Sequence, residues 1–378
     1  MRVKVPDYYK DFRCIAGDCK DSCCAGWEVD VDEAAQAYYV TVSGEFGKRL
    51  KDSTIIDEDG IRFTLTKERR CCFLNDCNLC DLYTALGEEH LCGTCAEFPR
   101  FYEYFGDLKE MGISLSCPTA AELILRHTEP LTWEEKEEDN EISLNDIDYD
   151  LYMQLMAARE HCFSILQDRT HDVIWRMIVV LLFSNDIQKY IYKGKYKKIK
   201  KVREKYAASD FLEKQVRKWI KKAAKHVSGV ENRTELLNIY TEFEVVNAEW
   251  VDILAKAVRD NDGMDEELAG KFASYLKNQQ IAYEQIMVYF IYRYFMKAVY
   301  DYDLISKVKL GVVSTLVIRC VDYSRWLMKQ ELPFDEFIWL AHLYSKEIEH
   351  SDENMDALAG YCGEDMRFHV EALIASLL

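Results

Sequence analysis

Eleven of the chain's fourteen cysteines fall within its first third: Cys14, Cys19, Cys23, Cys24, Cys71, Cys72, Cys77, Cys80, Cys92, Cys95 and Cys117. Thiols gathered in this way serve either as a disulfide framework or as soft ligands for zinc or an iron–sulfur cluster. Redox compartment separates the two. The chain opens Met1-Arg2-Val3-Lys4-Val5-Pro6-Asp7-Tyr8, without the apolar stretch of a secretory leader. Its longest apolar run, Ile174 to Phe183, is interrupted by Arg176 and is shorter than the ~20 residues a membrane span needs. A cytoplasmic protein without membrane insertion is expected, and reduced thiols there favour metal over disulfides. Cys162, Cys320 and Cys362 are scattered singly and read as ordinary buried thiols.

The spacings narrow the chemistry without fixing it. Cys72-x4-Cys77-x2-Cys80 coincides with a plant-type ferredoxin spacing. Cys77-x2-Cys80 and Cys92-x2-Cys95 also imitate a four-cysteine zinc site, although the eleven residues between them are few for that pattern. His90 is the one histidine inside the cluster, so mixed cysteine–histidine zinc sites are disfavoured. No three cysteines stand with three and then two residues between them, the spacing associated with radical cleavage of S-adenosylmethionine. The chain also lacks any Gly-x-Gly, and with it the dinucleotide fingerprint; a Walker loop and a Gly-x-Ser-x-Gly elbow are missing too.

The elements that must position these thiols are short. After a lead-in over residues 1–13, Gly17 and Gly26 are read as the turns that let Cys14, Cys19, Cys23 and Cys24 converge. Glu28–Asp32 alternates as a strand, Asp32 is placed to cap a helix from Glu33 to about Val42, and Ile61–Leu65 alternates as a second strand. Asp81–Leu86 reads as a helix ended by Gly87, and a strand is expected around Phe101–Phe105. Ten acidic residues crowd Glu129–Asp150 with little apolar content, which reads as a solvated linker. Beyond it Leu151, Leu155, Ala158, Cys162 and Ile165 begin a helical stripe. Helices are expected at 148–168, 171–192, 209–227, 231–260, 265–302, 305–330, 333–349 and 364–377, with breaks at Gly263 and Pro333.

The fold class expected is therefore mainly α: an irregular cysteine-rich metal-binding domain with short strands over 1–128, an acidic linker over 129–150, and an all-α domain over 151–378. A net charge of −18 argues against nucleic acid as a partner. Against that background Lys193–Lys205 is a basic island, extended by Arg217, Lys218, Lys221, Lys222 and Lys225. It reads first as a solvated helix face, and second as a dock for an acidic partner or for the chain's own acidic stretch. The sequence leaves the oligomeric state open.

One ordered set of motifs resembles the flagellin lysine N-methyltransferase family. It runs Phe12-x-Cys14-x4-Cys19-x3-Cys23-Cys24-x2-Trp27, Cys72-Phe73-Leu74, Leu79-Cys80, Leu86-Gly87-Glu88, Cys95-x2-Phe98-Pro99-Arg100 and Ser116-Cys117-Pro118. Phe73 stands where the family often has proline. The resemblance covers about residues 6–125, with a looser helical match beyond. It implies Cys14, Cys19, Cys23, Cys24, Cys72, Cys80, Cys95 and Cys117 as metal ligands, with Cys71, Cys77 and Cys92 as additions. It also implies a [4Fe-4S] cluster, with zinc as the alternative, and methyl transfer from S-adenosylmethionine to surface lysines of flagellin. Eight thiols suffice for one cluster with spares or for two centres. Arg100, after Pro99, is expected either to bind a carboxylate or to form a salt bridge within the cysteine domain. The competing functional classes are a zinc- or iron-binding assembly module without turnover and an electron carrier. The long helical half exceeds what a carrier requires.

Overall fold

The computed structural model describes residues 1–58, 60–138, 147–226 and 228–378. Strands come first. Arg2–Pro6 (β1) alternates Val3 and Val5 with Lys4, and the expected lead-in is in fact a strand inside a four-stranded sheet. A two-stranded ribbon, Thr54–Asp57 (β2) and Gly60–Phe63 (β3), is separate. Arg100–Phe105 (β4), Leu108–Ile113 (β5) and Trp133–Glu137 (β6) complete the larger sheet in the order β4-β5-β1-β6. β1 runs parallel to β5, with Val3 opposite Lys109, and antiparallel to β6, with Lys4 opposite Glu135. The stretch read as a solvated linker thus contributes an edge strand, whose four charged residues all stay exposed while its backbone pairs with β1; residues 139–146 of that stretch lie outside the described residues.

The N-terminal helices are short: Glu33–Tyr39 (α1), Gly44–Asp52 (α2), Asp81–Leu86 (α3), Gly93–Glu97 (α4) and Pro118–Leu125 (α5). Asp32 caps α1 by accepting from Ala35 N, and Gly87 ends α3 with φ 92°, both as the sequence suggests. Residues Glu28–Asp32 do not form a full strand; the segment makes an isolated bridge to β3, Asp30 to Arg62, with Val31 N donating to Ile61 O at 2.8 Å and Phe63 N donating to Val29 O at 3.0 Å.

The helical half comprises Tyr149–Leu166 (α6), Val173–Ile191 (α7), Ile199–Tyr206 (α8), Ser209–His226 (α9), Gly229–Tyr240 (α10) and Ala248–Asp262 (α11). Glu266–Tyr275 (α12), Gln280–Tyr294 (α13), Ala298–Asp301 (α14), Leu304–Lys329 (α15), Phe334–Glu349 (α16), Asp352–Glu364 (α17) and Val370–Leu377 (α18) follow. Asp148, Asp172, Asn247, Asp265, Asp303 and Ser351 cap the helices that follow them with their side-chain oxygens. Three expected long helices are broken. The 231–260 helix splits because Glu347 accepts from Val246 N and Asn247 N at 3.0 and 2.8 Å, and Asn354 accepts from Glu244 N at 2.8 Å. Those distant side chains hold residues 241–247 as a loop. The 265–302 and 364–377 predictions likewise resolve into shorter helices.

α15 is buried nearly all round, packed on α7, α11 and α13. Gly311 on α15 permits this: a Cβ there would meet Phe290 Cβ at 2.9 Å. One hydrophobic core runs continuously from Tyr8 through Phe105, Ile113 and Leu115 into the helices as far as Leu377. A satellite core gathers Val29, Val31, Tyr39, Leu50, Phe63, Phe73 and Leu82. The cores therefore part around the cysteine module, and the four-stranded sheet belongs with the bundle. Buried polar contacts seal that junction. Arg159, fully buried, forks onto Glu110 of β5 with Nη1–Oε2 at 2.6 Å, and Tyr292 OH donates to the carbonyls of Lys4 and Met111, both at 3.0 Å.

Candidate metal centre and its seat on the helical bundle

The Cys14–Cys24 loop has almost no regular structure. Its tight turn is made by Ala16, at φ 48°, and not by Gly17 as the sequence suggested. Gly26 does adopt a left-handed conformation, φ 97°, and a Cβ there would come within 2.7 Å of Val246 O. That close approach sets the loop directly on the α10–α11 connection. Arg69 reinforces the contact, donating to Gly26 O at 2.9 Å and pairing with Glu244 at 3.4 Å.

The main fastening is Asp21. Its Oδ2 accepts from Lys346 Nζ at 2.7 Å and faces His342 Nε2 at 2.9 Å, while Lys346 also donates to Ser22 O at 3.2 Å. Burial works against the Asp21 charge, yet the His342 and Lys346 side chains outweigh it and hold the carboxyl below its usual range. Trp27 makes the next contact. Its Nε1 donates to Cys23 O at 2.9 Å, and its ring lies 4.7 Å from the His350 ring and 6.2 Å from Phe98.

Behind this wedge lies a buried polar network. Glu349 accepts from the phenols of Tyr289 and Tyr294, both at 2.8 Å, and from Ser345 Oγ at 2.6 Å, and is paired with Arg293. Arg293 Nη1 donates to Ser114 Oγ at 3.0 Å, Ser114 meets Ser116 at 2.7 Å, and Ser116 meets His350 Nε2 at 2.8 Å. The network therefore ends one residue from Cys117. Burial raises Tyr289 and Tyr294, so both phenols stay protonated and act as donors, not as bases. Burial lowers His350 to about 3, so its imidazole is neutral near pH 7.

The thiols divide into two neighbourhoods. Cys14, Cys19, Cys23 and Cys117 act on one another electrostatically: Cys23 feels Cys14 and Cys117, and Cys117 feels Cys19 and Cys14. Burial pushes Cys117 up to about 11, opposed by the N–H groups of Ala120 and Thr119 at the start of α5. Those donors favour a thiolate at this helix N-terminus. Cys24, Cys71, Cys72, Cys80, Cys92 and Cys95 belong instead to the satellite core. A hydrogen bond with Cys23, whose sulfur is 3.9 Å away, lowers Cys24 to about 7. Cys72 turns toward Ser53 O at 3.9 Å, and its bond with Cys71 lowers it to about 6. Cys77 is exposed. Cys162, Cys320 and Cys362 are buried in the main core, as expected.

In donor chemistry this all-sulfur set fits the iron–sulfur or zinc centre implied by the resemblance. Among the described residues, however, no three cysteine, histidine, aspartate or glutamate side chains close around one point in a ready-made ion site. Among the described residues Arg100 forms no salt bridge within the cysteine domain; its guanidinium stands 5.3 Å over the Phe12 ring. An open groove of about 660 Å³ is lined by Asp7, Asp11 and Glu122 together with Lys10, Arg13, Arg126 and His127, among others.

The family profile described as the FliB lysine N-methylase C-terminal domain matches residues 159–375. The chain belongs to the FliB lysine N-methylase family. The match falls on the helical half, which supplies Tyr289, Arg293, His342, Lys346, Glu349 and His350. The Flagellar biosynthetic protein FliU of Salmonella muenchen is 27% identical over 179 residues, 43% of this chain and 98% of that protein. The Lysine-N-methylase of Salmonella typhimurium is 28% identical over 151 residues, and that of Salmonella choleraesuis 27% over 151; each match covers 36% of this chain and 35% of the relative. The matched region thus spans about a third of either methylase's length. No solved structure matches.

The polar seat on α16 was missed by the sequence reading, although a signal existed. His342, Lys346 and Glu349 recur at i, i+4 and i+7 on one face of a helix whose stretch from Phe337 to Leu343 is otherwise apolar, and a polar stripe of that kind requires buried partners. The basic island resolves largely as a solvated face. Ile199, Val202 and Tyr206 of α8 point inward, while Arg217 and Lys222 of α9 pair with Glu213 and Glu371. No helix among the described residues is long and apolar enough to cross a membrane.

Proposed function

We propose that the chain transfers methyl groups from S-adenosylmethionine to surface lysines of flagellin, and that a cysteine-ligated iron–sulfur centre is part of the working protein. Support comes first from one juxtaposition. The family-matched helix α16 is the element that grips the Cys19–Cys23 loop, through Asp21, His342 and Lys346. The names of the relatives, a flagellar biosynthetic protein and lysine N-methylases, favour the same reading.

The reaction needs no radical. A neutral lysine amine attacks the sulfonium methyl carbon in line, the carbon–sulfur bond breaks with its electron pair leaving on sulfur, and the methylated ammonium then sheds a proton. A lysine of pKa about 10.4 is almost wholly protonated near pH 7, so freeing the amine costs about 4–5 kcal/mol. The groove carries Asp7, Asp11 and Glu122 among Lys10, Arg13, Arg126 and His127; Glu122 pairs with Arg126 and Asp7 faces His127, which leaves Asp11 as the carboxylate placed to meet a lysine ammonium. Cys14, Cys19, Cys23 and Cys117 would hold the iron–sulfur centre. When bound, such a centre supplies redox-capable iron and fixes an otherwise irregular loop. The Glu349–Arg293–Ser114–Ser116–His350 network positions Cys117 and excludes water behind it.

A second reading, a metal-binding assembly module without turnover, draws on FliU, which is matched over nearly its whole length and bears a biosynthetic rather than an enzymatic name. The deciding experiment incubates protein purified without oxygen with methyl-labelled S-adenosylmethionine and flagellin, and maps methyl-lysine by mass spectrometry. Methyl-lysine on flagellin is expected. Metal retention without transfer to any flagellin offered would favour the assembly module.

A further inference from the structure

We propose that the hollow between α7, α9, α15 and the start of α18 binds a small carboxylic acid with a flat apolar body, its carboxylate meeting the ammonium of Lys309. No cysteine lines this hollow, and the inference stands or falls independently of methyl transfer.

The helix around Lys309 explains why a lysine is buried here. α15 is packed on nearly every side, and Lys309 lies one turn beyond Ile305, leaving it 6% exposed. Gln188 of α7 fixes the start of α15. Its Oε1 accepts from Leu304 N and Ile305 N at 2.7 and 3.0 Å, and its Nε2 donates to Tyr302 O at 2.8 Å. Lys309 Nζ in turn donates at 2.6 Å to Cys362 O, a carbonyl in the last turn of α17. That bond uses one of three ammonium donors, and a helix C-terminus offers only about half a compensating charge.

A buried lysine ordinarily has a carboxylate partner. The other two buried lysines among the described residues do: Lys4 pairs with Glu160 at 2.8 Å and Lys346 with Asp21 at 2.7 Å. Lys309 has no such ion pair among the described residues. Asp303 acts on it electrostatically, but its Oδ1 is spent accepting from Ser306 N as the cap of α15. Burial works against the ammonium and holds Lys309 below the usual lysine range. The protein thus leaves a buried cation short of an anion, at the wall of a hollow that has room for one.

The lining supplies the rest of the recognition. The hollow is about 340 Å³, at the lower end of the ~300–1,000 Å³ of small-molecule sites. Trp219 of α9, Tyr192, Ile305 and Val370 give it apolar walls. Lys222 stands 4.6 Å over the Trp219 ring and pairs with Glu371, and Lys189 donates to Asp186 at 2.7 Å. Among the described residues Lys309 is therefore the one lysine or carboxylate of the lining without a counter-ion. A flat ring against Trp219 and a carboxylate on Lys309 satisfy both walls at once.

The test titrates the full chain with two probes of one shape, phenylacetate and its neutral counterpart phenylacetamide, by equilibrium dialysis. Phenylacetate is expected to bind about tenfold or more tightly than the amide, because only the carboxylate makes a charge-assisted bond. Lys309→Met should weaken phenylacetate by a similar factor and leave the amide unaffected. Should that variant fold poorly, photolabelling of the native wild type with para-azidophenylacetate, mapped by mass spectrometry, gives the same answer. Label is expected on Tyr192, Trp219 or Ile305, suppressed by phenylacetate and not by phenylacetamide. Equal affinity for the two probes, or no binding of phenylacetate, would overturn the proposal. So would undiminished binding by Lys309→Met, or label confined to other parts of the chain.

Discussion

Replacing Asp21 by alanine removes one acceptor and leaves two buried groups without it. Lys346 has a side chain only 3% exposed and His342 is fully buried, so neither can turn to water. At 2.7 Å and an effective dielectric of 20, the Asp21–Lys346 attraction is about 6 kcal/mol. Much of it offsets the cost of taking both ions out of water, but deleting one partner leaves the other's desolvation uncompensated, typically about 3–5 kcal/mol. Because Asp21 lies between Cys19 and Cys23, the loss should appear as weaker seating of the loop and faster metal release. Urea unfolding of the metal-loaded protein, followed by helix signal and by metal release, measures both. Asp21→Ala should lower stability by about 3 kcal/mol or more, and Asp21→Ala with Lys346→Met should recover much of that loss. If Asp21→Ala unfolded and released metal like the wild type, or if the double variant were no better, α16 would not be gripping the loop through a buried charge.

Other perturbations follow from the same structure. Glu110→Ala strands the fully buried Arg159 and should cost about 3–5 kcal/mol in urea unfolding, while Glu110→Leu with Arg159→Met should cost far less. Gly311→Ala pushes a methyl to 2.9 Å from Phe290 Cβ, and a thermal melt should show about 1–3 kcal/mol of destabilisation from the overpacked α13–α15 contact. Burial raises Glu347 to about 7, against the Val246 and Asn247 N–H groups that favour its charge. The folded state therefore holds a proton that the unfolded state releases near pH 4.5, so this group's contribution declines as pH rises from about 4.5 to about 7, by about 3 kcal/mol. Unfolding of Glu347→Gln across that range should lose this component of the pH dependence; an unchanged slope would contradict the assignment.

The helical half was legible because its signals are local. Asp148, Asp172 and Asp265 are side-chain caps written into the sequence, and the stripe from Leu151 to Ile165 is buried as its spacing requires. The failures are contacts between distant segments. β1 is five residues long, and its partners lie more than a hundred residues away, so nothing near Val3 announces a central strand. The loop over 241–247 contains no glycine or proline and is held open by Glu347 and Asn354. The cysteines showed both sides of this limit. Their clustering is plain in the sequence, but that Cys71 lies opposite Cys24 depends on a bridge between Ala25 and Arg70 that spacing alone does not reveal.

The central claim, that methyl transfer to flagellin depends on the thiolate loop seated on α16, is tested most directly with three proteins assayed together: wild type, Cys19→Ser and Cys162→Ser. Each is purified without oxygen, its iron is measured, and transfer from labelled S-adenosylmethionine to flagellin is counted. Cys162 is fully buried in the main core, away from both thiol groups. The account predicts that Cys162→Ser keeps its iron and its transfer, while Cys19→Ser loses both together. Transfer at the wild-type rate by an iron-depleted Cys19→Ser would contradict it.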